Sequence, residues 1–485
     1  MKKFTLLETK ANSGFSRRKF LSGCLACAGL ASTLSFENKP LLASPIRGDE
    51  NQGPIEKPRI RLVFSHIPPD RPTWPNIGYD YEGRKRELTA RLTRALPGID
   101  FLPVTVQSQK GAEAILQQDR DIDGYLVYLV GIWTGAARAI ASSGRPTILV
   151  DDFFAGSGEF LIEYAAARRK GLKVAGVSSS RFEDVVEAAA CFECLKKMQS
   201  SKILDVTDSQ GYWGNPQVIK EVLGPETIKI GSGEINEAYS RVDRLQADKW
   251  ASYWIRKAEK VVEPTQEEIK RSGAMYVAML DLLNRYEAQA ITVDCLSLFY
   301  AGKLPAYPCL GFCQLNSDGQ VGACEGDLPS TTMMLLATYL AGRPGYISDP
   351  VVDTANNQII YAHCVAPTRV FGPQGPSNPY RIRNHSEDRK GAAIQSLLPA
   401  GELVTSFELN TETREIVIHQ AVTKGNLEED KACRTKLVAE VRGDINKLLG
   451  EWDRFGWHRV TVYGDLKRQL EIVAALAGLK IVYEA

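Results

Sequence analysis

Between residues 59 and 177 short apolar runs alternate with longer amphipathic stretches, and this alternation constrains the fold more than any other feature of the chain. Strand-like runs at 60–64, 101–106, 124–130 and 147–150 are separated by helical patterns at 82–95, 111–117 and 134–142, and 174–177 reads as one more strand. A parallel strand pair needs a long crossover, which a helix supplies, so the segment predicts an open parallel α/β sheet. No GxGxxG follows any of these strands, and Gly156-Ser-Gly158 is too short to serve as one. The sheet therefore lacks the fingerprint of a dinucleotide site.

A chain of 485 residues is too long for one core, and three segments are expected. They are a parallel α/β domain over 59–178, a helix-rich α/β domain over 179–340 and a β-rich α+β domain over 341–485. The middle segment predicts helices at 182–198, 234–245, 247–261, 265–286 and 328–340, with strands at 202–206, 227–230 and 290–293. Pro264-Thr265 and Asp327 with Pro329 mark two of the helix starts. The last segment predicts strands at 359–363, 403–409, 415–419, 459–463 and 480–483, and helices at 430–449 and 466–477. With 59 basic and 58 acidic residues, the net charge of +1 leaves no electrostatic footprint for nucleic acid or an anionic membrane. A small molecule or another protein is the expected partner.

At the N-terminus, Ser16-Arg17-Arg18-Lys19-Phe20-Leu21 precedes a moderately apolar run broken by Gly, Ala and Ser. It resembles a twin-arginine export signal, assigned to 1–45, with a disordered lead-in at 46–58; a membrane anchor fits so short and interrupted a run poorly. The mature protein is then expected outside the cytoplasm, periplasmic or otherwise, with no membrane attachment. Eight cysteines lie beyond the signal, and Cys191-Phe-Glu-Cys194, on a helical pattern with no second CxxC, reads as a pair of core thiols.

Only five histidines occur in the chain. His66, in a Pro-rich loop, and His419, at the end of a predicted strand, read as structural. His363 ends the 359–363 run and His458 stands before the 459–463 strand, while Glu325 lies just ahead of a helix start and Asp349 ends a strand-like run. Singly, each has an ordinary reading: a carboxylate favoured by a helix dipole, an Asp-Pro turn, a buried hydrogen-bonded histidine. Together, carboxylates and imidazoles at element ends are how distant pieces of chain meet at one metal ion.

Glu325 in Cys-Glu-Gly-Asp, Asp349 in Ile-Ser-Asp, His363 in Tyr-Ala-His-Cys and His458 in Trp-His-Arg-Val-Thr-Val resemble, in order and approximate spacing, the fucose/arabinose isomerase family. The resemblance implies that family's three-domain architecture and an aldose–ketose isomerase working through an ene-diol. It implies Glu325 and Asp349 as acid/base groups, and Glu325, Asp349, His363 and His458 as ligands of a divalent metal, Mn²⁺ foremost. It also implies a free sugar as substrate and a homo-oligomer. Asp at 349 follows the fucose-type branch and His363 the arabinose-type branch, so the sugar is not specified. Arg383, Asn384 and His385, in the polar stretch Arg381-Ile-Arg-Asn-His-Ser-Glu-Asp-Arg389, are candidate sugar-binding residues, with a solvated charged loop as the other reading. Trp74, Trp133 and Trp213 are candidate stacking platforms. A sugar-binding protein without turnover and a sugar epimerase or dehydratase stand as alternatives.

Overall fold

The computed structural model describes residues 56–485, so the expected export signal and most of the lead-in lie outside the described residues. The first sheet is parallel throughout, in the order Asp100–Val106, Arg59–Ser65, Gly124–Leu129, Thr147–Asp151, Val174–Val177. Its central strand, Gly-Tyr-Leu-Val-Tyr-Leu, is buried at every position because helices cover both faces. Helix Ser157–Arg169 was not expected from the sequence. Its capping residue, Gly156, offers no side-chain cap, and Leu161 and Ile162 are exposed, which blurs the amphipathic signal.

Gly156 sets the approach of that helix to the sheet. A Cβ there would collide with the carbonyl oxygen of Leu129, a backbone atom of the central strand. Gly156→Ala is therefore expected to cost about 1–3 kcal/mol through overpacking, read as a lower denaturation midpoint in urea. An unchanged midpoint would mean the helix can shift outward freely.

A second parallel sheet runs in the order Val321–Cys324, Ala290–Val293, Lys202–Val206, Glu226–Ile230. Because the chain leaves Lys202–Val206 toward one edge and returns on its other side, the boundary between Lys202–Val206 and Ala290–Val293 is a topological switch point. At such a boundary the loops at the carboxyl ends diverge and leave a crevice. Helix Gln266–Tyr286 begins with a capping box between Thr265 and Glu268, in agreement with the expected start.

The third sheet closes on itself. Leu403–Asn410, Arg459–Tyr463, Gly345–Asp353, Gln358–His363, Thr435–Val441 and Glu415–Asn426 pair in turn, and Glu415–Asn426 pairs back to Leu403–Asn410. The closed sheet has no free edge among these strands. Two expectations are corrected here. The helix expected at 430–449 is the strand Thr435–Val441 followed by the short helix Ile445–Glu451. Thr435, Leu437, Ala439 and Val441 are buried on a period of two, and strand pairing on both sides overrides the weak helical pattern. His419 lies inside Glu415–Asn426 rather than at a strand end.

Helix Leu328–Ala341 is buried on every side along its first ten residues, from Leu328 to Ala337, and packs against both the second sheet and the closed one. Its apolar, all-round composition suits that position. Among the described residues no helix is long and apolar enough to cross a membrane. All eight described cysteines are free thiols, with Cys191 and Cys194 in the core as expected.

Candidate active site

Glu325 follows the edge strand Val321–Cys324 in a turn where Glu325 and Gly326 both adopt left-handed backbone, each with φ of 68°. For a glutamate this conformation is strained, and it persists because the flanks are fixed. Gly326 N donates to Val293 O at 3.1 Å, and Asp327 caps the next helix by accepting from Ser330 N at 2.9 Å. The turn thus holds Glu325 where a strand end and a helix start meet.

Asp349 sits within Gly345–Asp353, not at the end of a run as expected, since the strand continues through Pro350 to Asp353. Register explains how its partners reach it. Asp349 is opposite Ala362 on one neighbouring strand, so His363 ends that strand beside it. Ser348 is opposite Arg459 on the other, so His458 arrives from the opposite side. Thr435 is opposite His363, which brings Cys433 to the same rim.

The resulting cluster is compact. Asp349 Oδ1 lies 3.1 Å from His458 Nε2, and Glu325 Oε2 lies 3.5 Å from the same nitrogen. Asp349 Oδ2 lies 3.1 Å from His363 Nδ1 and accepts from Cys433 Sγ at 3.2 Å. Asp327 Oδ2 accepts from His458 Nδ1 at 2.8 Å, which fixes the ring and leaves Nε2 turned toward Glu325 and Asp349. Neither His458 Nε2 nor His363 Nδ1 makes an aligned hydrogen bond, although both are buried. The expected four residues, Glu325, Asp349, His363 and His458, are therefore brought together.

Three carboxylates, Glu325, Asp327 and Asp349, face two imidazoles with no lysine or arginine among these contacts. Burial works to lower the pKa of His363, but the adjacent Asp349 charge prevails and pushes it up to about 9. Burial likewise opposes protonation of His458, yet Asp327 and Asp349 hold it well above its ordinary value. Burial would raise Asp349, and the two histidines outweigh it and keep the carboxyl far below its usual range. Glu325 moves the other way, raised by burial against the pull of both rings. The cluster takes up protons to balance its negative charge, and a divalent cation would displace them. Two oxygens and a nitrogen, from Glu325, Asp349 and His458, have ligand atoms within 4.8 Å of one another, so the donor set fits a divalent ion.

Ser330 Oγ has one proton for two carboxyl groups, Asp327 at 2.7 Å and Glu408 at 2.6 Å. Burial and the charge of Asp327 raise the Glu408 carboxyl far above its ordinary range. Glu408 accordingly holds a proton for Ser330, whose own proton is free for Asp327 beneath His458. Neither Asp327 as a partner of His458 nor Glu408 is visible in the sequence pattern, where Asp327 reads only as a helix cap.

A cavity of about 370 Å³ opens beyond the carboxyl ends of the second sheet, with Asp205, Thr207, Trp213, Asp294, Glu325 and Gly326 on its walls. Its position is the switch point, and its size is within the range of small-molecule sites, about 300–1,000 Å³. Trp213 stacks on the His458 ring at 4.9 Å, so of the three candidate platforms it is the one placed at this cavity. Asp205 Oδ1 is buried without a hydrogen bond, and burial pushes its carboxyl up to about 6. Asp205 was not anticipated: it lies inside a strand, where sequence offers only the signal of a charged residue in an apolar run.

Arg383, Asn384 and His385 do not line this cavity. Arg383 Nε donates to Glu263 at 2.7 Å and its Nη2 to Asp430 at 3.0 Å. Asn384 donates to Arg389 O at 3.0 Å, and its carbonyl oxygen accepts from buried Arg434 at 2.9 Å. His385 stacks on Tyr307 at 4.4 Å. Arg383 and Asn384 thereby hold the segment 430–434, which carries Cys433.

No family model matches the chain. It is similar to the sulfoquinovose isomerase of Clostridium sp. (strain MSTE9), 26% identical over 181 residues. The match covers 36% of this chain and 40% of that protein, so the chain spans well under half the length of the curated relative it matches.

Proposed function

We propose that the protein is a metal-dependent aldose–ketose isomerase acting on a free sugar through an ene-diol. The observation that carries this reading is the buried cluster of Glu325, Asp349, His363 and His458 beside a small cavity, with Glu325 common to the cluster and the cavity wall. Similarity to a protein named as a sugar isomerase supports it. Glu325, Asp349 and His458, with His363 alongside, would hold a divalent ion such as Mn²⁺, which when bound stabilises negative charge on the substrate oxygens.

The chain's own groups divide the remaining work. Glu325, its carboxyl raised above the ordinary value by burial, takes the proton from one sugar carbon and returns it to the next, while the hydroxyl proton passes between the two sugar oxygens. Asp349 stays ionised, and its charge fixes both imidazoles. Asp205 offers an unpartnered oxygen to a sugar hydroxyl, and Trp213 an aromatic face to the ring. Arg383 and Asn384 serve sugar binding indirectly, by holding the rim segment beside the site, while His385 stacks on Tyr307.

The three-segment division at 178 and 340, export by the twin-arginine route and an extracytoplasmic location belong to the same proposal. So does a homo-oligomer. Trp74, Trp133, Phe153 and Phe154, all exposed in loops at the carboxyl end of the first sheet, give it an apolar contact surface.

The cavity walls include Asp205, Asp294 and Glu325 and no lysine or arginine, and Lys229 behind them is engaged by Gly211 O at 2.8 Å and the Tyr212 ring, so we infer an uncharged sugar as substrate. Sulfoquinovose, the sugar in the relative's name, is a sulfonate and an anion. The test is proton exchange by NMR in D₂O on a panel of aldopentoses, deoxyhexoses, hexoses and sulfoquinovose, with and without chelator. Exchange at C2 of an uncharged aldose, lost on metal removal, is the expected result. Exchange confined to sulfoquinovose would overturn the uncharged-sugar inference, and none on any panel member would overturn the isomerase.

A further inference from the structure

Asp349 presents its two oxygens to two different sets of donors. Oδ1 faces His458 Nε2 in the set with Glu325, whereas Oδ2 faces His363 Nδ1 at 3.1 Å and Cys433 Sγ at 3.2 Å. The ligand atoms of Asp349, His363 and Cys433 also lie within 4.8 Å of one another. His363 is 2% exposed, and its Nδ1 makes no aligned hydrogen bond despite pointing into this set. Two adjacent strands of the closed sheet supply Asp349 and His363, and Cys433 stands in the loop two residues before the next strand, Thr435–Val441, whose register against His363 sets its place. Among the described cysteines Cys433 alone is partly exposed. Buried Arg434, bonded to Asn384 O at 2.9 Å, holds the backbone next to it.

We propose that this set is a second cation position, distinct from that of Glu325, Asp349 and His458, with Asp349 bridging the two through its separate oxygens. Its donors are Asp349 Oδ2, His363 Nδ1 and a Cys433 thiolate, and its ligand is a thiophilic divalent ion of the Zn²⁺ kind. The chemistry follows from the donor atoms. Two oxygens and one nitrogen suit a harder ion such as Mn²⁺, while sulfur, nitrogen and oxygen favour the softer first-row ions. On binding, the Cys433 proton that Asp349 accepts in the metal-free geometry and the proton on His363 Nδ1 both leave to solvent, and the sulfur and nitrogen lone pairs take their places toward the ion. The inference rests on the reading of Asp349 as a metal ligand, and the two positions have separate variants.

The test is Co²⁺ titration of the chelator-stripped, reduced protein, read by equilibrium dialysis and by absorbance. Two Co²⁺ per chain are expected, one of them accompanied by a thiolate-to-cobalt charge-transfer band in the near ultraviolet. Cys433→Ser should lose the band and one ion while retaining the other. His363→Gln should do the same, which keeps the test decisive if the serine variant fails to fold. Glu325→Gln should weaken the other ion and keep the band. Binding of a single Co²⁺, a wild-type complex without the band, or a band that survives in Cys433→Ser overturns the second position. No Co²⁺ bound to the wild type overturns the metal centre as a whole.

Discussion

Glu325→Gln is expected to lower sugar proton exchange by about 10²–10⁴-fold while leaving sugar binding and the fold intact. Gln preserves the volume and an oxygen donor, and it carries no greater backbone burden at a φ of 68° than Glu does. What it removes is the titratable carboxyl, the one on the cavity wall that burial raises while both histidines stand beside it. Exchange measured by NMR, sugar binding by calorimetry and Co²⁺ binding by absorbance separate the outcomes. Loss of exchange with sugar bound and the ion held in place at saturating Co²⁺ assigns the proton transfer to Glu325. Exchange at the wild-type rate would sink that assignment and shift the base to another carboxyl at the cavity, with Asp205 the first to test.

How much of this was legible in the sequence depended on whether local pattern and tertiary pairing agreed. The parallel strands 202–206 and 290–293 were expected to the residue, because fully buried strands read as apolar runs with clear turn signals. Residues 430–449 misled because Lys, Glu and Arg between apolar residues imitate a helix face, while Thr435–Val441 takes its conformation from strands on both sides. At the site, Glu325, His363 and His458 were readable because each stands at an element boundary, whereas Asp349 reads as a strand end and lies inside Gly345–Asp353. Cys433 was not, since only the register of Thr435 against His363 brings it to Asp349. Asp327 was read as a cap and is one, but its second bond to His458 spans 131 positions and leaves no local trace.

Glu484→Gln is expected to produce the largest loss of stability among the substitutions considered, about 3–5 kcal/mol, because it strands a buried guanidinium. Glu484 is 1% exposed and Arg459 is fully buried. Glu484 Oε1 accepts from His419 Nδ1 at 2.6 Å, and Oε2 accepts from Arg459 Nη2 at 2.8 Å. Tyr361 OH lies 2.6 Å from His419 Nε2, and the guanidinium also lies over the Trp452 ring at 4.0 Å. Burial would raise the Glu484 carboxyl, but His419 and Arg459 outweigh it and hold it down at about 2. A carboxyl depressed on folding contributes its stability fully above its unfolded value, about 4.3, and loses it as pH falls through the folded one. The contribution is about 3 kcal/mol, present at neutral pH and lost between about pH 4 and pH 2. Urea midpoints measured on acidification should therefore fall steeply in the wild type and less steeply in Glu484→Gln, whose midpoint starts lower; equal slopes would remove Glu484 from the acid sensitivity. The same network reaches the site, since Arg459 Nη1 donates to His458 O at 2.8 Å and fixes the backbone that aims His458 at Asp349. Exchange activity in Glu484→Gln should accordingly fall even at neutral pH under conditions where the protein remains folded, because a histidine free to shift no longer holds its position against Asp349 and Glu325.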